Sequence, residues 1–386
     1  MNQVPQQKFL RQSIRDGLSL NHKSSFWMRV HLDPWLLGLL VINALLGLVV
    51  LYSASAESWV MVGKQAMSFS IGFIVLFICA QIPPKVYQAA SPYLYILGVV
   101  LLMLVLVIGD SRLGAKRWIS IPGFGSMQPS ELMKFSIPLM ITWYITRHTL
   151  PPKFKHIVIA IALMMCPLIL IALQPDLGAG ILILVSGVFV LFLSGMSWFY
   201  IVSAVGFVIA LMPLLWMFVL HSYQKKRILT LFDPESDALG AGWNITQSKI
   251  AIGSGGFMGK GYLNGTQSHH GFLPEHHTDF IMSTYAEEFG LVGVFGLVGV
   301  FGLFVLYACI IIRALNISLN SFHNFGRISV ATLALSFFFF VAVNSGMVSG
   351  IFPVTGDPLP FMSYGGTAVI TLLAGFGIIM SVHTHR

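Results

Sequence analysis

Ten long apolar runs joined by short polar segments constrain this chain more than any other feature. They fall at about 34–53, 66–82, 91–109, 128–146, 157–174, 177–194, 197–220, 280–312, 328–352 and 363–382. A hydrocarbon layer about 30 Å thick is crossed by about 20 apolar residues in a helix. Only 9% of the residues are charged, against about 25% in a soluble domain, so there is too little polar surface to coat a water-soluble body. The expectation is an all-α polytopic membrane protein of about ten transmembrane helices. Residues 34–386 form one transmembrane domain behind a tail at 1–33, and no separate soluble domain is expected. The tail is basic, with Lys8, Arg11, Arg15, Lys23 and Arg29, and leads into a full-length span rather than a short cleavable core. Pro34, Pro92, Pro129 and Pro151 stand at run edges, where proline suits a first turn or a stop. Cys79, Cys166 and Cys309 each lie inside an apolar run and read as small apolar filler, not as a disulfide or thiolate cluster.

With the N-terminus in the cytoplasm, an even number of spans returns the C-terminus there. The inner joints then hold Lys85, Arg147, Lys153, Lys155, Arg313 and Arg327, as the positive-inside bias requires. Two outer segments run against that bias. One is 110–131, with Arg112, Lys116 and Arg117. The other is a large extracytoplasmic loop, about 221–279, between helices 7 and 8, with Lys225, Lys226 and Arg227. Such clusters are either solvated loops or binding sites for an anion at the outer surface, where lipid phosphates are the most available.

Acids at membrane depth are costly and mark function by default. Glu131 opens the fourth run, Asp176 sits in the turn Gln174-Pro175-Asp176, and Asp279, Glu287 and Glu288 open the eighth. Asp176 also suits a plain turn, and Thr278 or Asp279 a helix cap. On a helix at 100° per residue, Asp279, Ser283 and Glu287 would share one face within about 80°, a polar stripe suited to line a cavity. The glycine-rich GSGGFMGKG at 253–261 fails as a nucleotide loop, because Ser254 and Gly261 stand where that pattern needs glycine and Ser or Thr. It reads as a tight backbone path, with Lys249 or Lys260 available to an anion. His269, His270, His276 and His277 lack the spacing of a zinc site. A hard divalent cation, magnesium or manganese, needs only a carboxylate such as Asp279 plus substrate phosphates.

Several blocks together resemble the SEDS family (shape, elongation, division and sporulation), most closely its RodA branch. They are GAKRWISI (114–121), QPSELMK (128–134), QPDLG (174–178), the segment 232–268, FLPEHHTDF (272–280), AEEFG (286–290) and NSGMVSGIFPVTGDPLPFMSYGGTA (344–368). Asp357 departs from the pattern, standing where an aliphatic residue is usual, and is expected to affect loop packing rather than chemistry. The 282–285 segment MSTY is also more polar than usual. The resemblance implies ten helices with both ends cytoplasmic, and an enzyme of the bacterial inner membrane whose site faces the periplasm. It implies a peptidoglycan glycosyltransferase that polymerises lipid II into β-1,4 glycan for cell elongation and rod shape. It also implies a class B penicillin-binding protein as partner. Asp279 carries over as the essential acid and Trp118 as a functional aromatic.

The chemistry needs a base for the acceptor 4-hydroxyl, for which Asp279 is the candidate, and groups for the departing polyprenyl diphosphate. Burial would raise the pKa of Asp279 and nearby cations would lower it. Candidate substrate contacts are Lys116, Arg117, Lys249, Glu131, Asp176, His277 and Glu287. Trp118 either stacks on a sugar or anchors its loop at the interface. Membrane lipids are the other expected contacts, and neither nucleic acid nor an organic cofactor is expected. The rival readings are a lipid II flippase, a non-enzymatic scaffold of the wall-synthesis complex, and an unrelated polyprenyl-donor glycosyltransferase.

Overall fold

A computed structural model describes residues 26–112, 115–121, 125–219, 222–237, 240–269, 276–293 and 299–385. Most of the basic tail, His270 and the first four residues of FLPEHHTDF lie outside the described residues. After a single helical turn at Phe26–Arg29, the chain forms α1 (Pro34–Ala54), α2 (Trp59–Gln81) and α3 (Pro84–Ile108). Three short strands follow: β1 (Asp110–Arg112), β2 (Ala115–Ile121) and β3 (Gly125–Met127). Then come α4 (Pro129–Thr146), α5 (Phe154–Leu173), α6 (Leu177–Leu193), α7 (Trp198–Leu214), α8 (Ser222–Phe232) and α9 (Ala241–Gly255). The chain ends with α10 (Ile281–Phe289), α11 (Val300–Leu319), α12 (Asn324–Val348) and α13 (Gly366–Thr384).

Seven of these helices, α1, α2, α3, α5, α11, α12 and α13, are long and apolar enough to cross a membrane. The other three apolar runs become α4, which carries Glu131 and Lys134, and the shorter α6 and α7. Helix starts obey local chemistry. Pro34 and Pro129 occupy first turns, and Asp33 and Ser58 cap α1 and α2 by accepting from Leu36 N and Met61 N. Pro92 does not stand at an edge, because α3 starts at Pro84 and carries Pro92 inside it. Neighbouring helices in a membrane bundle can absorb such a break.

Helices α12 and α13 form the centre of the bundle. About two thirds of the apolar window of α12 is buried (67%), against 22% for α2 at the periphery. Helix α13 packs along α2, α4 lies against α3, α6 and α12, and α6 also packs on α12. The outward faces stay apolar, with Ile42, Val107 and Phe207 exposed. In water that surface would be unfavourable by about 25 cal/mol per Å²; against lipid it is at home.

Three sequence expectations are corrected. The segment 110–131, expected on the outer side as a solvated loop or an anion site, is not a plain loop: its strands make a three-stranded antiparallel sheet, with Asp110 opposite Trp118 and Ser120 opposite Ser126. The eighth run is not one helix. Gly290, at φ +69°, ends α10 after nine residues, and a new helix starts only at Val300. The interval after α7, expected as a large loop, holds α8 and α9, and α9 packs against α10.

Candidate functional site

The site is built on the loop between α12 and α13, residues 349–365, which passes over the ends of several helices. The loop is sewn to the turn that carries Asp279. Tyr364 N donates to His277 O at 3.0 Å, and Ser363 Oγ donates to Thr278 O at 2.6 Å. From α12, Asn344 Nδ2 donates to both Asp279 O (3.0 Å) and Asp357 O (2.9 Å). A Cβ built on Gly356 would lie 3.6 Å from Asp279 Oδ2, so the carboxylate faces this loop. Helix α10 takes Phe280 as its N-cap, and the Phe280 side chain makes no capping bond. Asp279 thus stands one residue before the N-cap, with its carboxylate toward the loop.

Beside this turn lies a buried charge cluster. On the first turn of α4, Lys134 Nζ sits 2.7 Å from Glu131 Oε1, a helical i,i+3 pair, and 3.4 Å from Asp357 Oδ1. Asp176 caps α6 by accepting from Ala179 N, accepts from Gln128 Nε2 at 3.0 Å, and lies 3.7 Å from Arg117. The turn reading of Asp176 is thus realised, and the same carboxylate joins the charge cluster. Arg117 also donates to the carbonyls of Gln174 (3.1 Å) and Pro175, which docks strand β2 onto the α5–α6 turn. Gly178 permits the close packing: a Cβ there would meet Asp357 Oδ2 and Thr355 O, each at 2.8 Å. Arg117, Asp176, Gln224 and Arg227 line a cavity of about 100 Å³, into which Arg227 brings a bond to Val354 O at 3.0 Å.

The structure brings Arg117, Asp176 and Glu131 together and puts Asp279 and His277 beside them, but four other expected contacts lie apart. Lys249, on α9, lies across Gly350 at the start of the same loop and lines a separate cleft of about 410 Å³ with Met282 and Ser349. Lys116 is exposed on β2, and Trp118, half-buried, stands two residues further along that strand. Glu287 is fully buried. Its carboxylate accepts from Lys260 Nζ (2.6 Å), Thr266 Oγ1 (2.8 Å), Thr266 N (2.9 Å) and Gln267 N. Burial works against its ionisation, but Lys260 and these donors hold it below the usual carboxylate range. Ser283 is equally buried, 2.8 Å from Ser248 Oγ. The stripe expected to line a cavity therefore faces protein. Lys260, offered as an anion contact, is taken up by Glu287.

Sequence reasoning passed over Lys134 and Asn344 and misjudged Asp357. Lys134 carried a usable signal, a lysine three residues after a membrane-depth glutamate on one helix. Asp357 affects charge, not only packing. Among the described residues no group of three or more His, Cys, Asp or Glu side chains is arranged to hold a metal ion. A divalent cation here would rest on Asp279 and phosphates brought by a substrate.

A helical bundle with apolar outer faces and a buried ionic site under one loop defines a multi-pass membrane protein with a site at the end of its bundle. The FtsW/RodA/SpoVE family, described as cell cycle proteins, matches residues 33–386, and the chain belongs to that family. It is 49% identical over 365 residues to the peptidoglycan glycosyltransferase MrdB of Escherichia coli K12, covering 95% of this chain and 97% of that protein. It is 35% identical over 365 residues to a probable peptidoglycan glycosyltransferase FtsW of Hydrogenovibrio crunogenus, covering 91% of each. Its fold matches a chain of a peptidoglycan synthase complex that coordinates polymerization and crosslinking, with a TM-score of 0.78 at 29% identity. That match covers 91% of this chain and 97% of the other. It also matches the rod shape determining protein RodA of Thermus thermophilus, at TM-score 0.67 and 28% identity, covering 91% and 96%.

Proposed function

We propose that the chain is a peptidoglycan glycosyltransferase that polymerises lipid II, with Asp279 as its general base. The observation that carries this reading is the Asp279 carboxylate turned to the 349–365 loop, beside the Arg117–Asp176–Lys134–Glu131 cluster, in a chain half identical to a glycosyltransferase along nearly its whole length. In the reaction, the acceptor GlcNAc 4-hydroxyl attacks the anomeric carbon of the donor. Asp279 takes the hydroxyl proton, and the bond from the anomeric carbon to phosphate oxygen breaks with its electrons going to the polyprenyl diphosphate. Attack opposite the leaving group turns an α link into a β-1,4 link. In this reading Arg117, whose Nε and one terminal nitrogen are held by the Gln174 and Pro175 carbonyls, offers the diphosphate its remaining guanidinium edge, and Lys116 and Lys249 act as point charges. Trp118 offers a ring face to a sugar. A magnesium or manganese ion held by Asp279 and the diphosphate would add charge neutralisation at the leaving group.

The site faces the periplasm in this reading, in a bacterial inner membrane with both termini in the cytoplasm, and a class B penicillin-binding protein cross-links the product. The match to a complex that couples polymerization to crosslinking supports such a partner. Asp279→Asn, supplied with lipid II, should lose about 10²- to 10⁴-fold in glycan polymerisation while keeping its melting temperature. A folded variant that polymerises normally removes Asp279 from the base role.

A further inference from the structure

The fold places Asp357, in the loop between α12 and α13, among several charged elements of the site. Around it stand Glu131 and Lys134 from α4 and Asp176 from the α5–α6 turn, and Arg117 from β2 joins the group through Asp176. Arg227 from α8 holds Val354 three residues away, Asp279 faces the neighbouring Gly356, and His277 is tied to the end of the loop. Asp357 is buried, and its Oδ2 has no hydrogen-bond partner among the described residues. Lys134 lies 5.2 Å from the centre of the Phe340 ring, so the lysine and its two carboxylates sit in apolar surroundings.

Charge balance gives this placement a consequence. Ionised Glu131, Asp176 and Asp357 make three negative charges against two positive ones, Lys134 and Arg117, a net of −1. With a proton on Asp357 the same five groups are neutral. The donor's diphosphate is a strongly acidic diester that stays ionised across the working pH range, so any pH dependence of its binding must come from the protein.

We propose that Asp357 is a specificity-determining residue that makes affinity for the diphosphate donor depend on pH. As a carboxylate it competes with the donor for the field of Lys134 and Arg117; as the neutral acid it leaves that field to the donor. Burial first, and then Asp176 and Glu131, push the Asp357 carboxyl up to about 6 against the pull of Lys134. The switch therefore falls where a membrane enzyme meets ordinary changes of external pH. A unit charge about 10 Å from an anion, at an effective dielectric near 20, changes binding about tenfold.

The inference rests on the glycosyltransferase reading, and the test separates the two. Full-length wild type, Asp357→Asn and Asp357→Leu are given lipid II from pH 5 to 8.5, and KM and kcat are measured separately. The expected result is a wild-type KM that rises threefold to tenfold through about pH 6, with a low and flat KM in both variants. Retention of the KM step in both variants, or a flat wild-type KM, overturns the role of Asp357 and leaves the glycosyltransferase reading standing. Absence of polymerisation by wild type at every pH overturns both. Agreement between the isosteric Asn and apolar Leu variants guards against a folding artefact in either one.

Discussion

The carboxylates around Lys134 differ in what removing each would do. Lys134 is the single cation between Glu131 and Asp357, and all three are nearly out of water. Breaking a buried ion pair by deleting one partner costs about 3–5 kcal/mol, because the remaining charge is stranded. Lys134→Met should therefore lower the thermal midpoint sharply as well as activity, a result open to detergent-solubilised differential scanning fluorimetry. Asp357 behaves in the opposite way. Its carboxyl is raised from 3.8 to about 6, chiefly by burial. Its contribution to stability is thus fully present below about pH 3.8, and it is lost as pH rises through about 6. Asp357→Leu should raise the melting temperature at pH 8, by at most about 3 kcal/mol in stability, and leave it unchanged near pH 4. A gain that is equal at both pH values would contradict this account.

Among the elements, short helix α10 shows how one acid can fasten a segment. Glu287 gathers Lys260, Thr266 and Gln267, so that the glycine-rich stretch after α9 is laid back over α10. Gly259, at φ +77°, admits this path: a Cβ there would stand 2.1 Å from Glu288 O. Glu287→Gln strands Lys260 beside a neutral amide. It should increase hydrogen exchange and protease cutting across 256–267, with a smaller loss of activity than Asp279→Asn. The two acids lie eight residues apart in sequence, and only their surroundings separate a strut from the proposed base. The strand β2 makes a similar division: Arg117 is docked on the α5–α6 turn, while Lys116 next to it is exposed. Replacing Arg117 by Lys should cost donor use more than replacing Lys116 by Ala, because only the guanidinium makes the fork to Gln174 and Pro175. Lipid II turnover by the two variants tests the order.

Across the whole molecule, the end of the bundle opposite the β-sheet is closed by a second ionic junction. Asp33, at the start of α1 and fully buried, pairs with Arg313 of α11 and lies 3.2 Å from His383 of α13. His31 stacks on His385 with ring centres 4.0 Å apart. First, eighth and last spans are thereby held together at one end while the loop beside Asp279 organises the other. In the proposed orientation, a single cysteine at Lys116 should react with an impermeant maleimide from outside the cell, and one at Lys153 only after permeabilisation. The reverse pattern would turn the molecule over.

The apolar runs of the sequence determined the class of the protein and most of the helix limits, because burial in lipid acts on local composition. The identity of the important acids was legible as well, since a charge at membrane depth is costly wherever the chain folds. Only the tertiary structure decided their roles. Glu287 and Asp279 look alike along the chain, yet one meets a lysine and three further donors from a distant segment, and the other faces the 349–365 loop. The break between α10 and α11 was hidden because both sides of it are apolar and glycine-rich, so hydropathy runs through it unchanged. Asp357 read as a local irregularity until the fold set it against Lys134, 223 residues away in sequence. Electrostatic partners are chosen by position in space, and pattern along one chain carries no record of that.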